Sequence, residues 1–128
     1  LVKLTSGLLL LTNDVRFAYE MTHPKFEKEK EYIVKIRETI TYPVLQELKK
    51  SISIHGRKTQ PAHVTLQSPH LVRIILREGR NRHIRRLCRR AEIHIEKLKR
   101  IRIGSLSLGN LLPRAYRKLS HHEISLLR

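Results

Sequence analysis

The residues able to do chemistry in this chain are arginines, crowded into one stretch. Between positions 73 and 102, thirty residues hold twelve Lys or Arg and only three acids. An apolar run, Leu71-Val72-Arg73-Ile74-Ile75-Leu76, opens the stretch and reads as a strand, and a turn at Glu78-Gly79 follows. Ile84, Leu87, Cys88 and Ala91 then recur at i, i+3, i+4 and i+7, the spacing of one buried helix face. Arg82, Arg85, Arg86 and Arg89 share the opposite face, with Arg90 beside them. Like charges one turn apart cost a helix roughly 0.2–0.5 kcal/mol per pair, and solvated faces usually mix signs. A face that repeats one sign without acids suits an anionic partner, and nucleic-acid phosphate is the leading candidate.

The whole chain points the same way. It carries a formal net charge of +16 on 128 residues, which excludes an acidic mimic of nucleic acid. With four tyrosines, two phenylalanines and no tryptophan, recognition must lean on arginine and backbone contacts, with one or two stacking tyrosines at most. The single cysteine, Cys88, allows neither an internal disulfide nor a thiolate zinc site, and its place on the apolar helix face makes it a core residue. His55, His63 and His70 have no carboxylate near them in sequence, so no metal site is expected. The longest leucine run, 8–11, is far too short to span a bilayer. A cytoplasmic, monomeric protein without a membrane anchor is expected. The chain opens on Leu1, which is expected of a fragment.

Around the arginine helix, the pattern predicts the elements that must position it. Residues 8–11 read as a buried strand, followed by Asn13 or Asp14 capping a helix over 15–21. Lys30–Ile36 alternates, with Tyr32, Val34 and Ile36 on one side and Glu31, Ile33 and Lys35 on the other, as a half-buried strand does. Pro43 introduces a short helix over 44–50 with Val44, Leu45 and Leu48 inward. Segments 51–55 and 62–66 flank a Gly-Pro-containing stretch and suggest a hairpin. One long strand over 93–103, a short strand over 115–119 and a helix at His121–Leu127 complete the chain. Paired strands with short helices and no regular βαβ spacing predict an α+β fold, a mainly antiparallel mixed sheet flanked by short helices, in one domain over 1–128.

Five segments carry a resemblance. TSGLLLLTND (5–14), THPKFEKEKEYIV (22–34), GRKTQPAHVTL (56–66), LREGRNRHIRRLC (76–88) and LKRIRIGSLSLG (98–109) resemble, in order, motifs of bacterial ribosomal-RNA pseudouridine synthases. The branch is the one that usually carries an S4-like RNA-binding domain ahead of its catalytic domain. The likeness runs from residue 1 to about 124, and the EGRNR start of the basic motif is closer to the large-subunit enzymes. It implies a catalytic-domain fold truncated at its N-terminus, a ribosomal RNA partner, and uridine isomerisation without a cofactor. In that chemistry an aspartate is the nucleophile. The glycosidic bond breaks, the base turns, and carbon 5 rejoins the ribose. The resemblance places the tyrosine that packs against the base on Tyr32, with Lys30 before it. It places the basic partner of the aspartate on Arg85 and RNA-phosphate contacts on Arg80 and Arg82; Lys30, and Arg86 and Arg89 of the charged helix face, are further expected RNA contacts.

One position departs from the pattern. The family's nucleophile lies three residues before the threonine of TSG, which here is Val2. Valine has neither a lone pair nor an ionisable proton and can serve as neither nucleophile nor base. Asp14, the only aspartate, lies twelve residues away in a helix-capping place. The chain as written is therefore expected to be inactive. A non-catalytic RNA-binding module using the same basic cleft is the alternative, and a basic ribosomal protein is a third reading that the ordered motifs disfavour.

Overall fold

A computed structural model describes residues 5–23, 26–77 and 82–128. Along the chain run β1 (Ser6–Gly7), α1 (Val15–Thr22), β2 (Lys30–Ile36), α2 (Tyr42–Lys49), β3 (Ser53–Ile54), β4 (Arg57–Lys58), β5 (His63–Ser68), β6 (Leu71–Leu76), α3 (His83–Arg90), β7 (Ile95–Ile103), β8 (Leu106–Ser107) and α4 (His121–Leu127). Six strands form one sheet in the order β1-β7-β2-β6-β5, with β8 against β7. Only β1 on β7 is parallel; the other pairs are antiparallel. The predicted α+β class, with its mainly antiparallel mixed sheet and short flanking helices, is the observed one.

The alternation in β2 decides which face is covered. Val34 and Ile36 are fully buried, as are Val72 and Ile74 on the neighbouring β6, and these four face α2 and α3. Leu48 of α2 and Ile84, Leu87 and Cys88 of α3 close that core, with Tyr32, Val44 and Leu45 packed at its margin. Burial pushes the Cys88 thiol up to about 12, so it is an inert core side chain. A second cluster joins Leu8, Phe17 of α1, Ile103, Leu106 and Leu127 of α4. The caps hold α1, α2 and α4 as their sequences allow. Asp14 accepts from Phe17 N, Thr41 from Val44 N, and Ser120 forms a reciprocal capping box with Glu123.

Three sequence expectations fail, two for want of a partner strand and one because the segment finds a different partner. Residues 8–11 are not a strand: Leu8 is buried at 7%, but Leu9 and Leu11 are 54% and 85% exposed. The ladder to β7 stops at Leu8, whose carbonyl accepts from the Arg100 guanidinium at 2.9 and 2.7 Å. The predicted hairpin is tighter than the pattern suggested. Ser53 and Ile54 pair with Lys58 and Arg57 across His55 and Gly56, which sit at φ 51 and 78 as a two-residue turn requires. The later segment joins the main sheet as β5 instead, against β6. Residues 115–119 form no strand. They are held by the Arg117–Glu123 ion pair at 2.7 Å and by Leu119 packing into the second cluster.

Candidate functional site

The site is assembled on one lateral row of the sheet. Gly7 in β1 stands opposite Arg100 in β7, and Arg100 stands opposite Tyr32 in β2. The parallel pairing of β1 brings its backbone so close that a Cβ on Gly7 would lie 2.1 Å from the Arg100 carbonyl oxygen. With φ at +108, the position admits only glycine. Just before it, Thr5 meets α3: the Arg85 guanidinium donates from Nη2 to Thr5 Oγ1 at 3.5 Å.

A bulge in β7 aims the next residues. The register slips between Glu31 and Tyr32, so Arg100 faces Tyr32 while Arg102 faces Glu31. Two arginines that simple alternation would leave on one face are thereby sent to opposite faces. Arg100 reaches the site. Arg102 pairs behind the sheet with Glu31 at 2.9 Å and Glu29 at 3.2 Å.

Lys30 lies two residues before Tyr32 on the same side of β2. Burial and the nearby Arg100 charge lower its pKa from the usual lysine value, with Glu27 partly opposing them. Half-buried Tyr32 thus has Lys30 and Arg100 as its neighbours on this row, with Arg85 at the Thr5 end of it, and among the described residues no carboxylate pairs with Arg85 or Arg100. Such a site can hold an anionic group beside a planar ring, while the tyrosine offers a stacking face. Among the described residues no group of three or more His, Cys, Asp or Glu side chains is placed to hold a metal ion.

The expected arginine face divides into unlike parts. Arg82 sits ahead of α3 in the left-handed region at φ 49, exposed and without a capping side chain. Arg89 is exposed and Arg86 partly buried. Arg90, which the helical pattern grouped with them, is instead a fastener. It donates to the carbonyls of Ser51 and Glu47 at 2.7 Å and of Lys50 at 3.0 Å, and its Nε lies 2.9 Å from Glu47 Oε1. It therefore ties α3 to the end of α2. Val2, Arg80 and the Glu78-Gly79 turn lie outside the described residues. Sequence reasoning passed over Thr5, Gly7 and Arg100 as site residues. A glycine after Thr-Ser was the available signal for a close backbone approach, whereas Arg100 depends on a register that spacing does not contain.

Residues 1–90 match the profile of the family described as RNA pseudouridylate synthase. The chain is 37% identical over 130 residues to the ribosomal large subunit pseudouridine synthase B of Bacillus subtilis (strain 168), covering 97% of this chain and 53% of that protein. It is 32% identical over 124 residues to the ribosomal small subunit pseudouridine synthase A of Escherichia coli (strain K12), covering 94% and 54%. The fold superposes on a pseudouridylate synthase crystal structure with a TM-score of 0.88 at 28% identity, over 97% of this chain and 55% of that one. The chain thus spans about half the length of the relatives it matches. No described helix is long and apolar enough to cross a membrane. With five ordered motifs, a matching fold and a site at the junction of β1, β7, β2 and α3, the chain belongs to the RNA pseudouridylate synthase family.

Proposed function

We propose that this chain is the main part of a domain of the type that isomerises a uridine of ribosomal RNA in the cytoplasm, that it holds the RNA by the α3 arginines, and that with Val2 it is inactive. The proposal further takes the large-subunit RNA as the substrate, on the EGRNR motif at 78–82. In this reading Tyr32 packs against the base, Lys30 and Arg100 face its phosphate-bearing flank, and Arg82, Arg86, Arg89 and Arg80 contact the backbone. The reaction is an isomerisation: the bond from N1 to the ribose breaks, one from carbon 5 forms, and a proton moves from carbon 5 to N1. It needs no oxidant and no cofactor, but it needs a nucleophile. Position 2 precedes the Thr5 segment that Arg85 touches, and Val2 supplies none. The chain as written binds RNA and does not turn it over.

The observation that carries the proposal is the Arg85–Thr5 contact, which brings the arginine helix to the segment where the family's aspartate belongs. Chemical mapping of pseudouridine in ribosomal RNA, after incubation with the natural full-length protein and with Val2→Asp, tests it. No product from the unaltered protein and product from Val2→Asp is the expected result. Turnover with valine in place would show that the nucleophile is elsewhere. RNA binding with no product from either would favour the non-catalytic binding module, for which the missing carboxylate is the specific support.

A further inference from the structure

The covered face of the sheet has a bare counterpart. Because Val34, Ile36, Val72, Ile74 and Leu98 point into the core, their strand neighbours Lys35, Arg73, Lys97 and Lys99 project from the other side. Lys35 and Lys97 stand directly opposite one another, and Ile33 stands between Lys99 on one strand and Arg73 on the other. Lys35, Lys97 and Lys99 are exposed. Like charges directly opposite on neighbouring strands destabilise a sheet. Its carboxylate, Glu31, is already engaged, 2.9 Å from Arg102 Nε and 3.3 Å from Arg73 Nη1. Glu29 is 3.2 Å from Arg102 Nη2. Among the described residues no acid pairs with Lys35, Lys97 or Lys99.

We propose that this sheet face, uncovered among the described residues, is a second RNA-backbone contact, separate from the arginine helix, in which Lys35, Lys97 and Lys99 neutralise phosphates. The proposal rests on the RNA-binding reading above. Lys97 and Lys99 are separated by two residues of strand, about 7 Å, and neighbouring strands add about 5 Å per step. The result is a patch of unpaired lysine charges spread over two neighbouring strands, complementary to a polyanion rather than to one compact anionic group. Ile33, Leu71 and Ile75, all only half-buried and interspersed with charges, are too small an apolar floor for a hydrophobic partner or a membrane. Among the described residues of its strands the face carries no Phe, Tyr or Trp, and its one ring, His63 opposite Ile75, lies at the β5 edge away from the lysines, so the lysine patch itself meets backbone rather than bases. Lys99 lies next to Arg100 in the chain and opposite Ser6, so the second surface begins just behind the site. An RNA large enough to reach around the sheet engages both faces, while a short oligonucleotide engages only the arginine helix.

The test uses the natural full-length protein, with a large-subunit ribosomal RNA transcript and a short uridine oligonucleotide as probes. Affinity is measured across a salt series for the unaltered protein, for a Lys35→Gln/Lys97→Gln/Lys99→Gln variant and for an Arg82→Ala/Arg86→Ala variant. At about 0.7–0.9 of slope per phosphate contact, the triple lysine variant should flatten log K against log salt by about 2 on the transcript and leave the oligonucleotide unchanged. Its melting temperature should hold or rise, because the cross-strand repulsion is gone. Lysine acetylation of the unaltered protein, read by mass spectrometry with and without transcript, gives a second measure that needs no variant. Protection of Lys35, Lys97 and Lys99 by RNA is expected. An unchanged slope, or no RNA-dependent protection, overturns the second surface. If the arginine variant still weakens binding, the RNA reading stands without it. If neither variant alters the salt slope, the RNA reading falls as well. Lysines already protected without RNA would mean that another part of the protein covers the face, which also overturns the proposal.

Discussion

Arg85 and Thr5, eighty residues apart in the chain, meet at 3.5 Å between a guanidinium nitrogen and a hydroxyl oxygen. The contact fixes the start of the arginine helix against the TSG segment. It also leaves a half-buried cation beside a neutral acceptor, with no carboxylate among the described residues to balance it. Removing one partner of a buried pair costs about 3–5 kcal/mol, less where water reaches. An arginine in that unbalanced position should therefore contribute little to stability.

Arg85→Met in the Val2 chain should accordingly leave the melting temperature unchanged or raise it. The same change in a Val2→Asp background should lower it. Double-mutant cycles by denaturant unfolding should give a coupling between positions 2 and 85 of about 1–3 kcal/mol. Zero coupling would mean that the two side chains do not face each other.

Gly7→Ala should cost far more than an ordinary loop glycine. Its Cβ would lie 2.1 Å from the Arg100 carbonyl oxygen, a backbone atom that cannot move aside, whereas a Cβ on Gly109 meets nothing within 4 Å. Gly109 also has positive φ, so Gly109→Ala should cost about 1 kcal/mol from backbone strain alone. Gly7→Ala should exceed about 3 kcal/mol and detach β1 from β7. Equal losses at the two positions would disprove the close approach.

Arg90 and Arg89 are neighbours with opposite expected phenotypes. Arg90 donates to three carbonyls at the end of α2, so Arg90→Ala should destabilise by about 2–3 kcal/mol and leave the salt dependence of RNA binding intact. Arg89→Ala, at an exposed position, should leave stability unchanged and reduce that slope by about one unit or less. Thermal melts and salt-dependent binding curves of the two variants check the pair of outcomes.

Acid should loosen the molecule at two exposed, hydrogen-bonded carboxylates. The backbone N–H and ring of His94 hold Glu38 at about 2, below the usual 4.5. The Arg117 guanidinium, first among its partners, holds Glu123 at about 2. A depressed carboxylate pKa contributes stability that is fully present above the unfolded value and lost as pH falls through the folded one. The loss should therefore run from about pH 4.5 to about pH 2. Glu38→Gln and Glu123→Gln together should flatten that limb of the stability curve, measured by denaturant unfolding at each pH. A limb of unchanged steepness would assign it to other carboxylates.

If Tyr32 packs against the base through its ring, Tyr32→Phe in the Val2→Asp protein should keep RNA binding and lose little product formation. Tyr32→Ala in the same background should abolish product formation. A large loss with phenylalanine would mean that the hydroxyl, not the ring, is the working part.

The residues differ in how openly the sequence declares them. Val34, Ile36, Val72 and Ile74 announce their burial by alternation, and Ile84, Leu87 and Cys88 by helical spacing, because both periods are local properties of the backbone. The final helix and its capping box are equally local. By contrast, residues 8–11 and 115–119 carry strand-like composition but meet no partner strand, and apolar composition alone cannot say whether an adjacent strand exists.

The sequence by itself determined the α+β class, the basic helix, the core face of β2 and the ordered motifs that place Tyr32, Arg85 and Val2 in a family. Each of these follows from period, charge or motif over a few neighbouring residues. Tertiary structure alone decided which arginines serve which purpose. A one-residue bulge in β7 sends Arg100 to the site and Arg102 to Glu31, and the packing of α3 on α2 withdraws Arg90 from the basic face. Guanidinium groups are chemically identical along the chain. Their roles are set by which carbonyl, carboxylate or ring lies within 3 to 4 Å, and those neighbours come from strands and helices dozens of residues away.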